Sequence, residues 1–513
     1  MKIYKHRIAD NLLSRKLLGK GAVLIEGPKW CGKTTTAKQL SKSFLDLGNP
    51  AVLKQSAQII DLKPSALLEG DTPRLIDEWQ TLPPIWDAIR NEIDNRGMPS
   101  QFILTGSSVL PLANSTVHSG TGRFSRIKMR PMSLFESGES NGTVSIGDLF
   151  NGKTLSFQEN SLDIDDLAFL TCRGGWPWAT LLQKEIALDQ ALDYFDSVTS
   201  SDIQRVDNTK RSQERTKLLM RSYARNISQQ VPFTTIRKDM LSNDSQTLDE
   251  DTVADYVNAL KKLFVIEDLP AWNPNIRSKA AIRTSDTRYF VDPSIGTAAL
   301  GLDPTDLVND LQSFGLFFEN LATRDLRVYA DALDGELFHY RDSRGLECDS
   351  VLHRRNGSYA LMEIKLGGEK NIEEGANNLL TFANDIDTNK DARTDKHKKL
   401  SESHHCRAEK NRPAVAPEAV GKIAAEQRRQ IHQPGVVAIN LGGVFLGKRQ
   451  ALNHIEHKHC PHSIVTEPFP HFRQKQHIKP FRVSDIRFFH IVYLFDCCRR
   501  TAIILQKYTF FKT

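Results

Sequence analysis

Eight consecutive residues near the amino terminus, Gly27 to Thr34, read GPKWCGKT and match the pattern G-x-x-x-x-G-K-[ST]. Glycines in this pattern let consecutive backbone amides curl around phosphate oxygens, the lysine reaches the β and γ phosphates, and the final hydroxyl binds Mg²⁺. The apolar run Ala22 to Glu26 precedes the motif and a helical pattern follows it, as such a loop requires. The sequence therefore predicts a nucleotide-binding P-loop. The residues predicted to bind the nucleotide are Gly27, Pro28, Lys29, Trp30, Cys31, Gly32, Lys33, Thr34 and Thr35.

Two adjacent acids end a later apolar run, in the stretch RLIDEWQ from Arg74 to Gln80. A carboxylate at the end of a strand beside a P-loop can hold a Mg²⁺-bound water, and a second one can polarise the water that attacks the γ-phosphate. We assign the first role to Asp77, which would share the ion with Thr34. The second role, catalysis, falls to Glu78.

The next apolar run ends in LTGSS, which places three hydroxyl side chains at a strand-to-loop exit. Thr105, Ser107 and Ser108 could sense the γ-phosphate, and Ser107 is the catalytic candidate among them. An ordinary polar loop exit is the alternative interpretation.

A cation on a loop follows in GTGRFSRIKMRPMS, where Gly122 precedes Arg123. Negative charge that develops during phosphoryl transfer can be met by an arginine finger from a neighbouring subunit. We predict this catalytic role for Arg123, with Arg126 or Arg130 as substitutes. A solvated basic loop is the alternative.

A second group of charged residues, Asp349, Glu363 and Lys365, spans two predicted strands. Residues i and i+2 of a strand face the same way, so Glu363 and Lys365 share a face that Asp349 can join from the neighbouring strand. Two carboxylates and a lysine suit a Mg²⁺-dependent phosphodiesterase, in which the acids hold the metal and the lysine orients water. Glu319 on the preceding helix could complete the group. Ordinary alternation of Glu and Lys on a strand would give the same pattern.

The elements that must position these residues follow from apolar runs and helical periodicity. The first segment alternates strands with helices, which is typical of an α/β domain with a mainly parallel sheet. The predicted strands are 22–26, 44–47, 74–77 and 101–105, and the predicted helices are 33–44 and 84–93. After the turn CRGGWPWA the helical stretches 216–229 and 252–263 precede strand-like pieces at 264–269 and 288–291, which suggests a winged helix. A helix at 315–326 then leads to FHYRDSRGLECDSVL and GSYALMEIKLGG, interpreted as two strands joined by RRNGS.

At these residues the chain resembles a family of bacterial and archaeal AAA-like P-loop ATPases that carry a C-terminal domain of unknown function, DUF4143. The resemblance implies an α/β fold: a P-loop NTPase domain with a parallel sheet, a winged-helix-like helical domain and a smaller α/β domain similar to restriction-endonuclease-like nucleases. It also implies a nucleotide site and a nuclease-like site at the residues named above. The matching stretches are GPKWCGKTT, RLIDEWQ, ILTGSS, GRFSRIKMRPMSLFE, RGGWP, FFENLATRDL, FHYRDSRGLECDSVL and YALMEIKLG.

The chain is long enough for several domains at 513 residues. We expect an ATPase domain at 1–165, a winged-helix-like domain at 166–300, a restriction-endonuclease-like domain at 301–390 and an atypical basic tail at 391–513. Of the 15 His residues, eleven lie beyond residue 396, and from residue 397 onward 20 Lys and Arg face 8 Asp and Glu. The net charge of +6 therefore comes from the tail, and the body is mildly acidic.

Three interpretations of the tail are open. Its abrupt change in composition suggests a disordered segment or the translation of a shifted or adjoining reading frame. Alternatively it is a basic arm for nucleic acid or a zinc cluster, because imidazole and thiolate are the usual zinc ligands. The zinc candidates are His454, His457, His459, Cys460 and His462.

The expected function is ATP binding with Mg²⁺-dependent hydrolysis, coupled to the C-terminal module and directed at DNA. One alternative is an ATP-controlled, Mg²⁺-dependent DNA nuclease, and another is a nucleotide-dependent switch whose inactive nuclease-like domain binds a protein partner. A finger supplied between subunits would require a homo-oligomer. No window has the roughly 20 apolar residues of a membrane span, and the charged amino terminus lacks a signal-peptide run, so we expect a cytoplasmic protein without a membrane partner.

Overall fold

The computed structural model describes residues 4–107, 120–151, 162–206, 209–242, 248–273, 285–342, 345–367, 371, 373–383, 491–496 and 501–504. Its strands are β1 (Ala22–Glu26), β2 (Ser43–Asp46), β3 (Arg74–Asp77), β4 (Phe102–Gly106), β5 (Phe124–Lys128), β6 (Gly335–Arg341), β7 (Glu347–Arg354), β8 (Tyr359–Met362), β9 (Ile364–Lys365), β10 (Ile491–Asp496) and β11 (Thr501–Ile504).

The α-helices among these residues fall into three groups along the chain. The first group is α1 (Ile8–Gly19), α2 (Lys33–Lys38), α3 (Pro50–Leu62), α4 (Ile85–Arg96), α5 (Leu134–Ser137) and α6 (Ile146–Phe150). The second is α7 (Ile164–Arg173), α8 (Lys184–Ser197), α9 (Ile203–Arg205), α10 (Gln213–Arg225), α11 (Phe233–Leu241), α12 (Glu250–Lys262), α13 (Pro293–Leu300) and α14 (Pro304–Asn309). The third consists of α15 (Leu311–Ala332). None of these helices is long and apolar enough to cross a bilayer.

The N-terminal unit, residues 4–151, is built on a five-stranded parallel sheet with strand order β2-β3-β4-β1-β5. The parallel α/β architecture predicted from the sequence is therefore confirmed. Alternate residues of β1 enter different cores: Ala22 and Leu24 pack with α4, whereas Val23 and Ile25 pack with α1. Both faces of the sheet are thus covered, which explains the uninterrupted apolar run of this strand.

The sequence predicts a loop in GTGRFSRIKMRPMS, but Phe124–Lys128 within this stretch form strand β5. It pairs in parallel with β1, with Ala22 opposite Phe124 and Glu26 opposite Lys128. β5 is the edge strand of the sheet, and Ile127 is its fully buried side chain. An edge strand with one buried position carries too few apolar residues to be recognised from sequence.

The middle segment, residues 162–309, packs its helices into one core that also includes α15. Its strand-like pieces are joined by two isolated antiparallel bridges, Ile266 with Phe290 and Leu269 with Thr287. Residues 274–284 between them lie outside the described residues.

The C-terminal segment, residues 311–383, begins with α15, which extends the predicted helix in both directions. The stretch expected to be one strand is two, β6 and β7, in the antiparallel sheet β6-β7-β8. They turn at Asp342, whose carboxylate accepts a hydrogen bond from the Leu346 amide at 3.0 Å, and at Gly345, whose φ of +86° suits glycine. The predicted turn at Arg354 to Ser358 is present, and β10 pairs with β9.

Candidate functional site

The P-loop connects the carboxyl end of β1 to the amino end of α2. Gly32 has φ +102°, a left-handed conformation that favours glycine, and a Cβ on Gly27 would lie 2.0 Å from the Met129 carbonyl oxygen. Lys33 Nζ donates to the carbonyl oxygens of Gly27 at 3.0 Å and Pro28 at 2.7 Å. The two glycines and the lysine of the motif thus each have a geometric reason for their type.

Asp77 brings together hydroxyls from two other parts of the sheet. Its carboxylate accepts hydrogen bonds from Thr34 at 2.8 Å and from Thr105 at the end of β4. The group is nearly buried, with Asp77 only 8% exposed. A hydroxyl and a carboxylate are oxygen donors of the type that Mg²⁺ prefers, so this pair fits the ion that the motif implies.

Glu78 follows Asp77 with φ +53°, which turns its carboxylate toward the exit of β4. It accepts hydrogen bonds from Ser107 at 3.1 Å and from Gln80. The sequence predicts no role for Gln80 in RLIDEWQ, and its position two residues after Glu78 is the one signal that could have revealed this contact. Gln80 Oε1 is buried without a hydrogen-bond partner among the described residues. The sensor candidate Ser108 lies outside those residues.

Arg123 lies at the amino end of the parallel strands, whereas the P-loop of its own chain lies at their carboxyl end. It precedes β5 and accepts a backbone hydrogen bond from Ala22, at the start of β1, whereas the P-loop follows the end of β1. Its Nε donates to Asp94 at 2.6 Å. The structure therefore separates Arg123 from this chain's nucleotide site, and a finger acting on a neighbouring subunit stays a prediction.

The two substitute arginines are held differently. Arg126 Nη1 forms a 2.9 Å ion pair with Glu26, and its side chain is 44% exposed. Arg130 is buried and pairs with Glu267 at 2.7 Å and Asp331 at 2.6 Å. Burial alone would lower the pKa of Arg130, but the two carboxylates raise it above its ordinary value. Arg130 therefore ties the N-terminal unit to the two later segments.

Arg7 is a site residue that sequence reasoning missed. Its buried guanidinium donates to the carbonyl oxygen of Cys31 in the P-loop at 2.7 Å and to that of Arg130 at 2.8 Å. A third bond, 3.0 Å long, joins it to Glu136. Arg7 therefore holds the P-loop through its bond to the Cys31 carbonyl oxygen. An isolated arginine before α1 belongs to no motif that could have revealed this contact.

A cavity of about 950 Å³ lies over the P-loop and extends to the middle segment. Lys33, Thr34 and Glu78 line one side of it. The middle segment supplies Trp176, Pro177, Trp178, Leu181, Gln190 and Arg205. The turn CRGGWPWA thus lines the cavity over the P-loop, and Gly175 is required in this turn because a Cβ would lie 2.1 Å from the Met132 carbonyl oxygen.

The second group of charged residues also converges. Lys365 Nζ lies 2.9 Å from Asp349 Oδ2 and 2.6 Å from Glu363 Oε2. Asp349 additionally accepts a 2.7 Å hydrogen bond from the Ile364 amide. Burial and then the neighbouring Asp349 raise the pKa of Glu363 well above its ordinary value. Burial opposes charge on Lys365, but the two acids raise its pKa.

Glu319 on α15 adjoins this group and accepts a hydrogen bond from the Tyr289 hydroxyl. Burial, followed by the charge of Asp349, raises the pKa of Glu319 to about 8. In the part of the chain that the structure describes, no three His, Cys, Asp or Glu side chains are grouped so as to hold a metal ion. Between the carboxylates of Asp349 and Glu363 lies the ammonium of Lys365. The tail candidates for zinc, His454, His457, His459, Cys460 and His462, lie outside the described residues.

Two curated relatives match part of the chain. The uncharacterized protein Mb2031c of Mycobacterium bovis and the uncharacterized protein Rv2008c of Mycobacterium tuberculosis are each 28% identical over 143 residues. The match covers 27% of this chain and 31% of either relative, so the chain spans less than a third of their length. A solved structure, the Walker-type ATPase PABY2304 of Pyrococcus abyssi, superposes with a TM-score of 0.36 at 14% identity, over 58% of this chain and 96% of that one.

Three family models match successive parts of the chain. An AAA domain model matches residues 19–137, a domain of unknown function, DUF8612, matches 164–306, and a second one, DUF4143, matches 314–406. The first match contains the P-loop and the Asp77 and Glu78 pair, and the last contains Asp349, Glu363 and Lys365. Residues 19–137 are therefore similar to AAA domains, and residues 314–406 are similar to DUF4143 domains.

Proposed function

We propose that this protein binds ATP and hydrolyses it with Mg²⁺. The observation that carries the proposal is the 2.8 Å contact between the Thr34 hydroxyl and Asp77, directly beside the P-loop lysine. Mg²⁺ bound at this pair would neutralise charge on the β and γ phosphates. Lys33 binds the same phosphates, and Glu78, oriented by Ser107, polarises the attacking water.

Phosphate release by purified protein tests this proposal. Wild-type turnover that depends on Mg²⁺ and falls sharply in Glu78→Gln would support it. Glu69→Gln is a matched control, because Glu69 is an exposed carboxylate of the same unit that pairs with Lys63. Equal turnover in Glu78→Gln and wild type would remove Glu78 from the proposed chemistry. Assays with and without single- and double-stranded DNA test DNA as the partner, and stimulation by either would support it.

A second candidate function is an ATP-controlled DNA nuclease in a restriction-endonuclease-like C-terminal domain. The convergence of Asp349, Glu363 and Lys365 favours it, and a winged-helix-like middle domain would suit a DNA partner. Loss of Mg²⁺-dependent nicking in Lys365→Ala, with ATP turnover intact, would support this candidate. Absence of nicking by wild-type protein would contradict it.

The third candidate is a nucleotide-dependent switch whose nuclease-like domain binds a protein and cuts nothing. The internal pairing of Lys365 with both carboxylates favours this alternative, because the ammonium offsets carboxylate charge where a metal ion would otherwise bind. ATP turnover without DNA stimulation or nicking, together with ATP-dependent retention of a protein partner, would support it. A homo-oligomer in the cytoplasm is compatible with all three candidates, and sedimentation with and without ATP tests the oligomeric state.

A further inference from the structure

The helix formed by α8 and α9 is interrupted by one π turn, Val198–Asp202. A π turn inserts an extra residue into a helix, changes the direction of nearby side chains, and is frequent at functional sites. Asp202 is the last residue of this turn, and its side chain is only 7% exposed. Such a buried carboxylate requires a partner, because an unpaired buried charge is strongly destabilising.

The partner of Asp202 belongs to the P-loop. Lys29, the third residue of GPKWCGKT, donates from Nζ to Asp202 Oδ1 at 2.6 Å, and Ser201 Oγ lies 3.4 Å from the same oxygen. The Lys29 side chain is 41% exposed and lines the same cavity as Lys33 and Thr34. Lys29 is thus a cation on the phosphate-binding loop whose charge is neutralised by an acid from the middle segment.

We propose that Lys29 is a second phosphate-binding cation of the nucleotide site, and that Asp202 competes with the nucleotide phosphates for it. This inference rests on the proposed function. A nucleoside triphosphate brings several negative charges into the cavity, and the Lys29 ammonium cannot pair fully with both partners. Phosphate binding therefore weakens the contact between the P-loop and the π turn, which links nucleotide occupancy to the middle segment.

A purely structural role for the ion pair makes the opposite prediction. If Asp202 only held the P-loop in shape, Asp202→Asn would loosen the loop and weaken nucleotide binding. If Asp202 competes with phosphate, the same substitution leaves the side-chain shape, releases Lys29, and tightens triphosphate binding by about three- to tenfold. The gain should be smaller for a diphosphate and absent for adenosine, because it depends on phosphate charge.

The experiment titrates the full chain, with Mg²⁺, against ATP, ADP and adenosine by calorimetry. The variants are Asp202→Asn, Lys29→Gln and the double variant, with melting temperatures as a check on folding. Asp196→Asn is the matched control, because Asp196 lies on the same helix and forms an exposed pair with Lys217 at 3.3 Å. We expect tighter ATP binding in Asp202→Asn, weaker binding in Lys29→Gln, and loss of the Asp202→Asn gain when Lys29 is already replaced.

Several outcomes would overturn the inference. They are unchanged or weaker ATP binding in Asp202→Asn, unchanged binding in Lys29→Gln, and a gain that persists in the double variant or extends equally to adenosine. If Asp202→Asn fails to fold, Lys29→Gln still tests whether Lys29 binds phosphate, and unchanged ATP affinity in that variant would overturn the proposal. In each of these cases, binding by the wild-type chain leaves the proposed function intact. An absence of ATP binding by the wild-type chain would overturn both.

Discussion

Thr34 donates a hydrogen bond to Asp77 at 2.8 Å, although 43 positions separate them in the chain. The contact arises because β1 and β3 run parallel to β4 on either side of it. The carboxyl ends of all three strands therefore lie at the same end of the sheet. β4 contributes Thr105, which donates to the same carboxylate oxygen. The sheet thus assembles an oxygen-rich site from three strand ends, the usual position for ligands in open α/β sheets.

Lys33→Ala should abolish measurable ATP binding, or weaken it by at least about tenfold, because charge-assisted contacts to phosphate are lost. Lys38→Ala is the control, since Lys38 ends the same helix and lies 4.1 Å from the centre of the Phe44 ring, outside the cavity lining. Calorimetric titration with ATP and Mg²⁺ measures both. Equal affinities in Lys33→Ala and wild type would argue against a P-loop role for this lysine.

Glu78→Gln should lower the phosphate-release rate by about 10²- to 10⁴-fold, as expected when a general base is lost, while ATP affinity changes little. Ser107→Ala should lower the rate less, because it removes one 3.1 Å hydrogen bond that orients Glu78 but keeps the carboxylate. Single-turnover phosphate release measures the chemical step in each variant. A larger loss in Ser107→Ala than in Glu78→Gln would show that the serine acts on the phosphate directly.

The P-loop and the acid pair could be predicted from sequence because their signals are local. GPKWCGKT and RLIDEWQ each combine a buried strand with the polar residues that follow it. Parallel strands then bring their carboxyl ends together without further information. The joint position of Asp349, Glu363 and Lys365 was predictable for a similar reason, since strand alternation determines which side chains share a face.

The rest of the site depends on contacts between segments that are distant in the chain. The bonds from Arg7 to Cys31 and from Lys29 to Asp202 have no local pattern, and the second spans 173 positions. Arg123 is the opposite case, because its sequence position suggested a site residue that the fold does not bring to the P-loop. Its loop follows β4 in sequence, but β5 runs parallel to β1, so Arg123 at its start lies at the opposite end of the strands from the P-loop. Tertiary packing therefore determines which cations line the cavity over the P-loop.

Arg130→Ala should destabilise the folded chain by about 3 to 5 kcal/mol, because it removes a buried guanidinium that bonds both carboxylate oxygens of Glu267 and also Asp331. Arg126→Ala removes a pair in which the arginine is 44% exposed, and should cost less than about 1 kcal/mol. Urea unfolding followed by tryptophan fluorescence compares the two variants. Similar losses in both would contradict a special role for Arg130 in joining the N-terminal unit to the later segments.

Glu319→Gln should remove part of the pH dependence of stability. Because burial raises the pKa of Glu319 from its ordinary value of 4.5 to about 8, the folded chain keeps this proton over a range in which the unfolded chain has lost it. The resulting stability is fully present below about pH 4.5 and is lost as the pH rises through about 8.

Glutamine retains the hydrogen-bond acceptor for Tyr289 but cannot ionise beside Asp349. The free energy of unfolding of Glu319→Gln, measured in urea from pH 5 to pH 8.5, should therefore fall less with rising pH than that of wild type. Glu336→Gln, which changes an exposed carboxylate on β6, should follow the wild-type profile. Parallel profiles for Glu319→Gln and wild type would mean that Glu319 is already ionised in the folded protein at neutral pH, despite its burial against Asp349.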